Sequence, residues 1–151
     1  MIAYLDASAL VKRYIVERGS HETVELTADA EVTATSIVSR AEVAAAFAKA
    51  IRAGLVKDDV ARNAQRRFAE DWPDLARVSV TEAVAERAER LAWEYGLRGY
   101  DAVQLASALT WQESVGEQIV LATFDQQLWE AAQRAGLNTW PARPRSEPET
   151  Q

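Results

Sequence analysis

The sequence predicts a three-layer α/β/α domain built on a central parallel sheet of four to five strands. Three observations carry that expectation. Short apolar runs with β-branched residues alternate with longer stretches whose apolar residues recur near the helical period, the pattern of strands joined by crossover helices. The 151 residues, 48% hydrophobic and 26% charged, suit one domain with one sizeable core. No apolar run reaches the length that a membrane span needs, and the N-terminal MIAYL lacks the basic flank and cleavage site of a signal peptide, so the mature protein is expected to begin at Met1.

Taken in order, IAYLD reads as a first strand and ALVKRYIVERG as a helix ended by Gly19. SHETVELTADA follows as a second helix and VTAT as a short strand. From Ser36 an alanine-rich helix runs to Gly54, with apolar residues at Ile37, Ala41, Ala44, Phe47, Ala48 and Ile51. KDDVARNAQRRFAEDW is a charged amphipathic helix closed by Pro73, and LARVSV is a strand. The helices EAVAERAERLAWEYG and DAVQLASALTWQ, the strand QIVLAT, the helix QQLWEAAQRAG and a last strand around LNTW complete the domain over residues 1–140. The tail 141–151 is polar and proline-rich, has too little apolar surface to fold, and is expected to be disordered.

The absence of cysteine excludes disulfides, thiolate metal sites and cysteine nucleophiles, and it suits a reducing cytoplasm. The single histidine, His21, cannot build a histidine-rich zinc site and sits in a polar helix start. The net charge of −6 argues against a broad basic face for nucleic acid. Setting four candidate site acids aside leaves 19 of the 23 Asp plus Glu against 17 Lys plus Arg, a net of −2, so a local phosphate site remains compatible with the composition.

Those four are Asp6, Glu42, Asp101 and Asp125. Asp6 closes the first strand and Asp125 follows QIVLAT, so a parallel sheet brings both to one edge, where ligands of such sheets bind. Ser8 and Thr123 add hydroxyls within two positions of them. Each acid taken singly also suits helix capping, since Asp6, Asp101 and Asp125 precede helices and Ser39 with Glu42 has capping-box spacing. As a set they point elsewhere, because carboxylates crowded at about 4 Å repel by about 4 kcal/mol per pair at an effective dielectric near 20. A cation relieves that cost, and all-oxygen ligation selects a hard ion such as Mg2+ or Mn2+. Such ions polarise a phosphoryl oxygen, activate water and neutralise charge on a leaving oxygen.

YLDASALVKRY, TSIVSRAEVAAAF, LRGYDAVQLASAL and LATFDQQLWEAAQRAGL together resemble the four motif regions of the PIN-domain family, most of all its toxin ribonucleases of the VapC kind. The resemblance spans Met1 to about Trp140. It implies that Asp6, Glu42, Asp101 and Asp125 form an acidic metal site for Mg2+ or Mn2+, with Ser8 and Thr123 in support. It further implies a PIN-like nuclease domain that cuts RNA endonucleolytically, a homodimer, and a VapB-like antitoxin that covers the active site. The alternatives are a housekeeping PIN-domain ribonuclease and a catalytically silent PIN-fold interaction module.

Lys12, Arg13 and Arg98 lie near these acids in sequence and offer phosphate contacts, with solvated charge as their default role. Trp93, Trp111 and Trp129 fall within helices among apolar neighbours and are expected to pack in the core or an interface. The basic run QRRF is flanked by acids and reads as a solvated face. An aspartate-nucleophile phosphatase is disfavoured because Ser8 stands where its second Asp belongs, and a phosphoacceptor receiver because LARVSV ends without an Asp.

Overall fold

A computed structural model describes residues 1–143 and shows a five-stranded, fully parallel sheet in the order β3-β2-β1-β4-β5. The strands are β1 (Ile2–Leu5), β2 (Val32–Ser36), β3 (Ala76–Val78), β4 (Val120–Ala122) and β5 (Asn138–Trp140). The helices are α1 (Ala7–Val11), α2 (Ser20–Asp29), α3 (Ser39–Arg52), α4 (Asp58–Asp71), α5 (Glu82–Tyr95), α6 (Gly99–Val115) and α7 (Gln126–Arg134), with a 3-10 turn at Trp72–Asp74 where Pro73 closes α4. Residues 144–151, most of the expected disordered tail, lie outside the described residues. Among the described residues, no helix is long and apolar enough to cross a membrane.

Strand alternation divides the core into two layers. Ala3 and Leu5 of β1 and Ala122 of β4 face α1 to α4, where Leu10, Val43, Phe47 and Phe68 are buried. Tyr4 and Leu121 point the other way, into a layer formed by α5, α6 and α7. Phe68 anchors α4 through edge contacts with Tyr14 at 5.4 Å and Trp72 at 5.5 Å. The chain runs outward from β1 through β2 to β3, then returns to β4 on the other side of β1. The switch point therefore lies between β1 and β4, and the crevice at their carboxyl ends is the natural ligand position of this topology.

Two element expectations need correction. The helix expected to run to Gly19 stops at Val11, because side chains take over the backbone groups that would continue it. Ser20 Oγ donates to the Ile15 carbonyl and accepts from the Glu17 N–H, while Lys12 Nζ donates to the Arg18 carbonyl. Gly19, at φ +88°, then opens α2 instead of closing α1. In α3 the buried face is Ser39, Val43 and Phe47, whereas Ile37, Ala41 and Ala48 are exposed. Alanine carries too little surface to fix a helix face, so the larger side chains and a satisfied serine set the orientation.

Candidate active site

Asp6 ends β1 and caps α1, with Oδ1 accepting from the Ala9 N–H at 3.0 Å. Ser8 Oγ donates to the same oxygen at 2.7 Å, and Thr123 Oγ1 donates to Oδ2 at 2.6 Å. The Phe124 N–H donates to Ser8 Oγ and the Asp125 N–H to Thr123 Oγ1. Ser8 and Thr123 thus fasten the turn after β1 to the turn after β4 and fix both Asp6 oxygens. Burial pushes the Asp6 carboxyl up from 3.8 to about 6; hydrogen bonds from Thr123, Ser8 and Ala9 oppose the rise, and Glu42 adds to it.

Asp125 caps α7, its Oδ1 accepting from the Leu128 N–H at 2.9 Å. Asp101 lies in the first turn of α6, whose N-cap is Arg98, so it does not cap that helix. One guanidinium spans the two acids: Arg98 Nε donates to Asp101 Oδ2 at 3.2 Å and Nη2 to Asp125 Oδ2 at 3.1 Å. Burial, then the neighbouring Asp125, raises the Asp101 pKa, and Arg98 lowers it.

Glu42 projects from the first turn of α3 and accepts from Gln104 Nε2 at 2.9 Å. Its pKa is raised by burial and by Asp101 against the lowering effect of Gln104. Val38, not Ser39, occupies the N-cap of α3 and makes no side-chain cap, so Ser39 and Glu42 do not form a capping box. Ser39 Oγ instead lies 2.7 Å from Thr35 Oγ1 and 2.9 Å from Gln104 Nε2. Gln104, fully enclosed in α6, also accepts from the Tyr4 hydroxyl at 2.6 Å.

The four acids form a row of electrostatic neighbours, Asp6 with Glu42, Glu42 with Asp101, and Asp101 with Asp125. As the side chains stand, no three His, Cys, Asp or Glu among the described residues are gathered around a single ion position. The donor chemistry nonetheless fits a hard divalent cation. The groups are carboxylate and hydroxyl oxygens, three of the four acids are held above their ordinary pKa, and a protein cation already sits between Asp101 and Asp125.

The other residues of interest divide differently. Lys12 is not a solvated charge: its buried ammonium donates to Glu17 Oε1 at 3.1 Å and lies 4.4 Å from the centre of the Phe124 ring. Arg13 is half-buried, its guanidinium 5.6 Å from the Tyr14 ring. Trp93 is 88% exposed, correcting its expected packing, because α5 directs Val84, Ala88 and Leu91 inward and Trp93 falls off that face. Trp111 packs against the core, and the Trp129 indole donates to the Pro141 carbonyl. His21 is exposed beside Glu25. In QRRF the two arginines are exposed, though Arg67 also donates to the Tyr14 carbonyl.

Gln104, Thr35 and Tyr4 were not singled out from the sequence, and Ser39 was named only as a capping-box candidate with Glu42. A signal was present for Gln104, a lone carboxamide in an apolar run three positions after Asp101, hence on the same helix face.

Comparison with known proteins places this geometry in a family. The family model described as PIN domain matches residues 3–134. Two Mycobacterium tuberculosis proteins, Ribonuclease VapC45 (strain CDC 1551 / Oshkosh) and Ribonuclease VapC49 (strain ATCC 25618 / H37Rv), are each 35% identical over 143 residues, covering 94% of this chain and 96% of theirs. Among solved structures, VapBC2 from Rickettsia felis, bound to a promoter DNA fragment, matches with a TM-score of 0.64 at 16% identity, over 93% of this chain and 100% of that one. FitAcB from Neisseria gonorrhoeae matches at 0.63 and 18% identity, over 93% of this chain and 97% of that one. With the matched residues spanning every acid of the row and the fold agreeing, this chain belongs to the PIN domain family.

Proposed function

We propose that this protein is a divalent-metal-dependent endoribonuclease and the toxin of a VapBC-type toxin–antitoxin pair. The observation that carries the proposal is the row of acids from four separate segments at the β1–β4 switch point of a PIN-domain chain. The names of the two ribonuclease relatives support RNA as the substrate. The toxin–antitoxin assemblies among the structural neighbours fit an antitoxin partner. A homodimer in the cytoplasm completes the proposal.

Asp6, Glu42, Asp101 and Asp125 would hold Mg2+ or Mn2+, which supplies charge neutralisation for a phosphodiester and activation of water. Ser8 and Thr123 hold both Asp6 oxygens in place at the end of β1. Arg98 balances Asp101 and Asp125, and its exposed side chain is free to turn toward a phosphate when a cation takes its place.

Purified protein should cleave RNA with Mg2+ or Mn2+ and stop in chelator, and Asp101→Asn should abolish cleavage while leaving the circular dichroism spectrum unchanged. Cleavage by that variant at the normal rate, or cleavage that persists in chelator, would reject the mechanism. Growth arrest on induced expression, lost with Asp101→Asn and relieved by a co-expressed antitoxin, separates a toxin from a housekeeping ribonuclease.

A further inference from the structure

We propose that Gln104 is a positioning residue: its carboxamide, pinned by Tyr4 and Ser39, presents one N–H to Glu42 and holds that carboxylate in a single orientation at the sheet edge. The inference rests on the nuclease function proposed above, in which Glu42 belongs to the reacting site.

The donors and acceptors around Gln104 orient its carboxamide. The Thr35 hydroxyl shares its one proton between the Leu5 carbonyl and Ser39 Oγ, each 2.7 Å away. Ser39 Oγ also accepts from Gln104 Nε2 at 2.9 Å. The second Nε2 proton is directed to Glu42 Oε1 at 2.9 Å, and Gln104 Oε1 accepts from Tyr4 at 2.6 Å. Burial raises the Tyr4 pKa well above its ordinary value, so the phenol stays a donor.

A flipped amide would aim its oxygen at the Glu42 carboxylate and its N–H groups at the donating Tyr4 hydroxyl, setting acceptor against acceptor and donor against donor in a buried place. The cost of unpaired buried acceptors excludes that arrangement. Tyr4 on β1 and Ser39 on α3 therefore fix the amide that faces Glu42. The Gln104 side chain is fully buried, between a strand and a helix, so the orientation it imposes does not depend on solvent. Tyr4 and Ser39 satisfy the amide oxygen and one N–H, and the remaining N–H is the one given to Glu42.

The test uses the whole chain. In the 15N-labelled protein without metal, Glu42→Ala should move one Gln104 side-chain amide proton upfield and leave the other, and Ser39→Ala should do the converse. Gln104→Leu should lower kcat for RNA by about 10- to 100-fold at unchanged KM, the range for removing a partner that orients a site ligand. If Gln104→Leu does not fold, Tyr4→Phe, which removes one hydroxyl, should cost about fivefold in kcat. Amide signals indifferent to Glu42→Ala, or normal kcat in Gln104→Leu (in Tyr4→Phe where the former is unfolded), would overturn the proposal. Asp101→Asn is the control. Full cleavage by that variant defeats the nuclease proposal itself, whereas its inactivity beside a fully active Gln104→Leu defeats only the role of Gln104.

Discussion

Replacing Asp6 with asparagine should stabilise the metal-free protein, and the gain should depend on pH. The carboxyl titrates near 6 in the folded chain against 3.8 ordinarily, chiefly because it is buried. The folded state thus binds the proton more tightly than the unfolded state, so stability is fullest below 3.8 and is lost as pH rises through 6. A tenfold difference in proton affinity between the two states is worth about 1.4 kcal/mol. At pH 7 the ionised carboxylate therefore costs about 3 kcal/mol, and at pH 4 less than about 1 kcal/mol. Asparagine carries no such penalty and remains a good N-cap, its oxygen still accepting from Ala9 and Ser8. Its amide, however, replaces the oxygen that accepts from Thr123, which costs about 1 kcal/mol.

The net expectation is a gain of about 2 kcal/mol at pH 7, or about 4–8 °C in Tm for a chain of this size, and no gain at pH 4. Urea or thermal unfolding in chelator at both pH values measures it. A fall in stability at pH 7, or an equal gain at pH 4 and pH 7, would refute the argument that burial penalises this carboxylate.

Other perturbations address the surroundings. With saturating Mn2+ the comparison should invert, the wild-type melting temperature rising and that of Asp6→Asn staying put, as read by differential scanning calorimetry. Arg98→Met should push the Asp101 carboxyl further up, since Arg98 opposes burial and Asp125 there, and a carboxyl-carbon NMR titration reads the change. Because Arg98 is exposed, the same substitution should move stability by less than about 1 kcal/mol in denaturation. Gly19→Ala should cost about 1–3 kcal/mol on unfolding, because the residue sits at φ +88° and a Cβ would meet the Phe124 ring at 2.8 Å. Phe68→Ala should cost about 3–5 kcal/mol by emptying the contact among Tyr14, Phe68 and Trp72.

The parallel sheet was legible because short apolar runs with β-branched residues alternate with stretches of helical period along the chain, and parallel pairing follows from the crossovers between them. Asp6 and Asp125 at one edge followed from that sheet alone. What escaped was anything decided by a side chain reaching back to local backbone. Lys12 and Ser20 convert an apparent helix into turns, and no periodicity registers such bonds. The inward turn of Ser39 was equally hidden, since its partners Thr35 and Gln104 lie on another strand and another helix. Arg98 reads as a loop charge in sequence, yet the start of α6 places it between acids that are remote along the chain.

Capping alone does not account for the acids. Asp125 behaves as a cap should, with one oxygen on the third N–H of its helix. Asp6 also caps, but a single N–H satisfies that role, and two hydroxyls are spent on the same carboxylate in a place where burial opposes its charge. Asp101 caps nothing and Glu42 caps nothing, while each raises or is raised by an acidic neighbour. A fold selected for stability alone has no use for a repelling row at its switch point, because neutral side chains would fill it at lower cost. The row is therefore what the proposed divalent cation would need, since a ligand of opposite charge would relieve the repulsion.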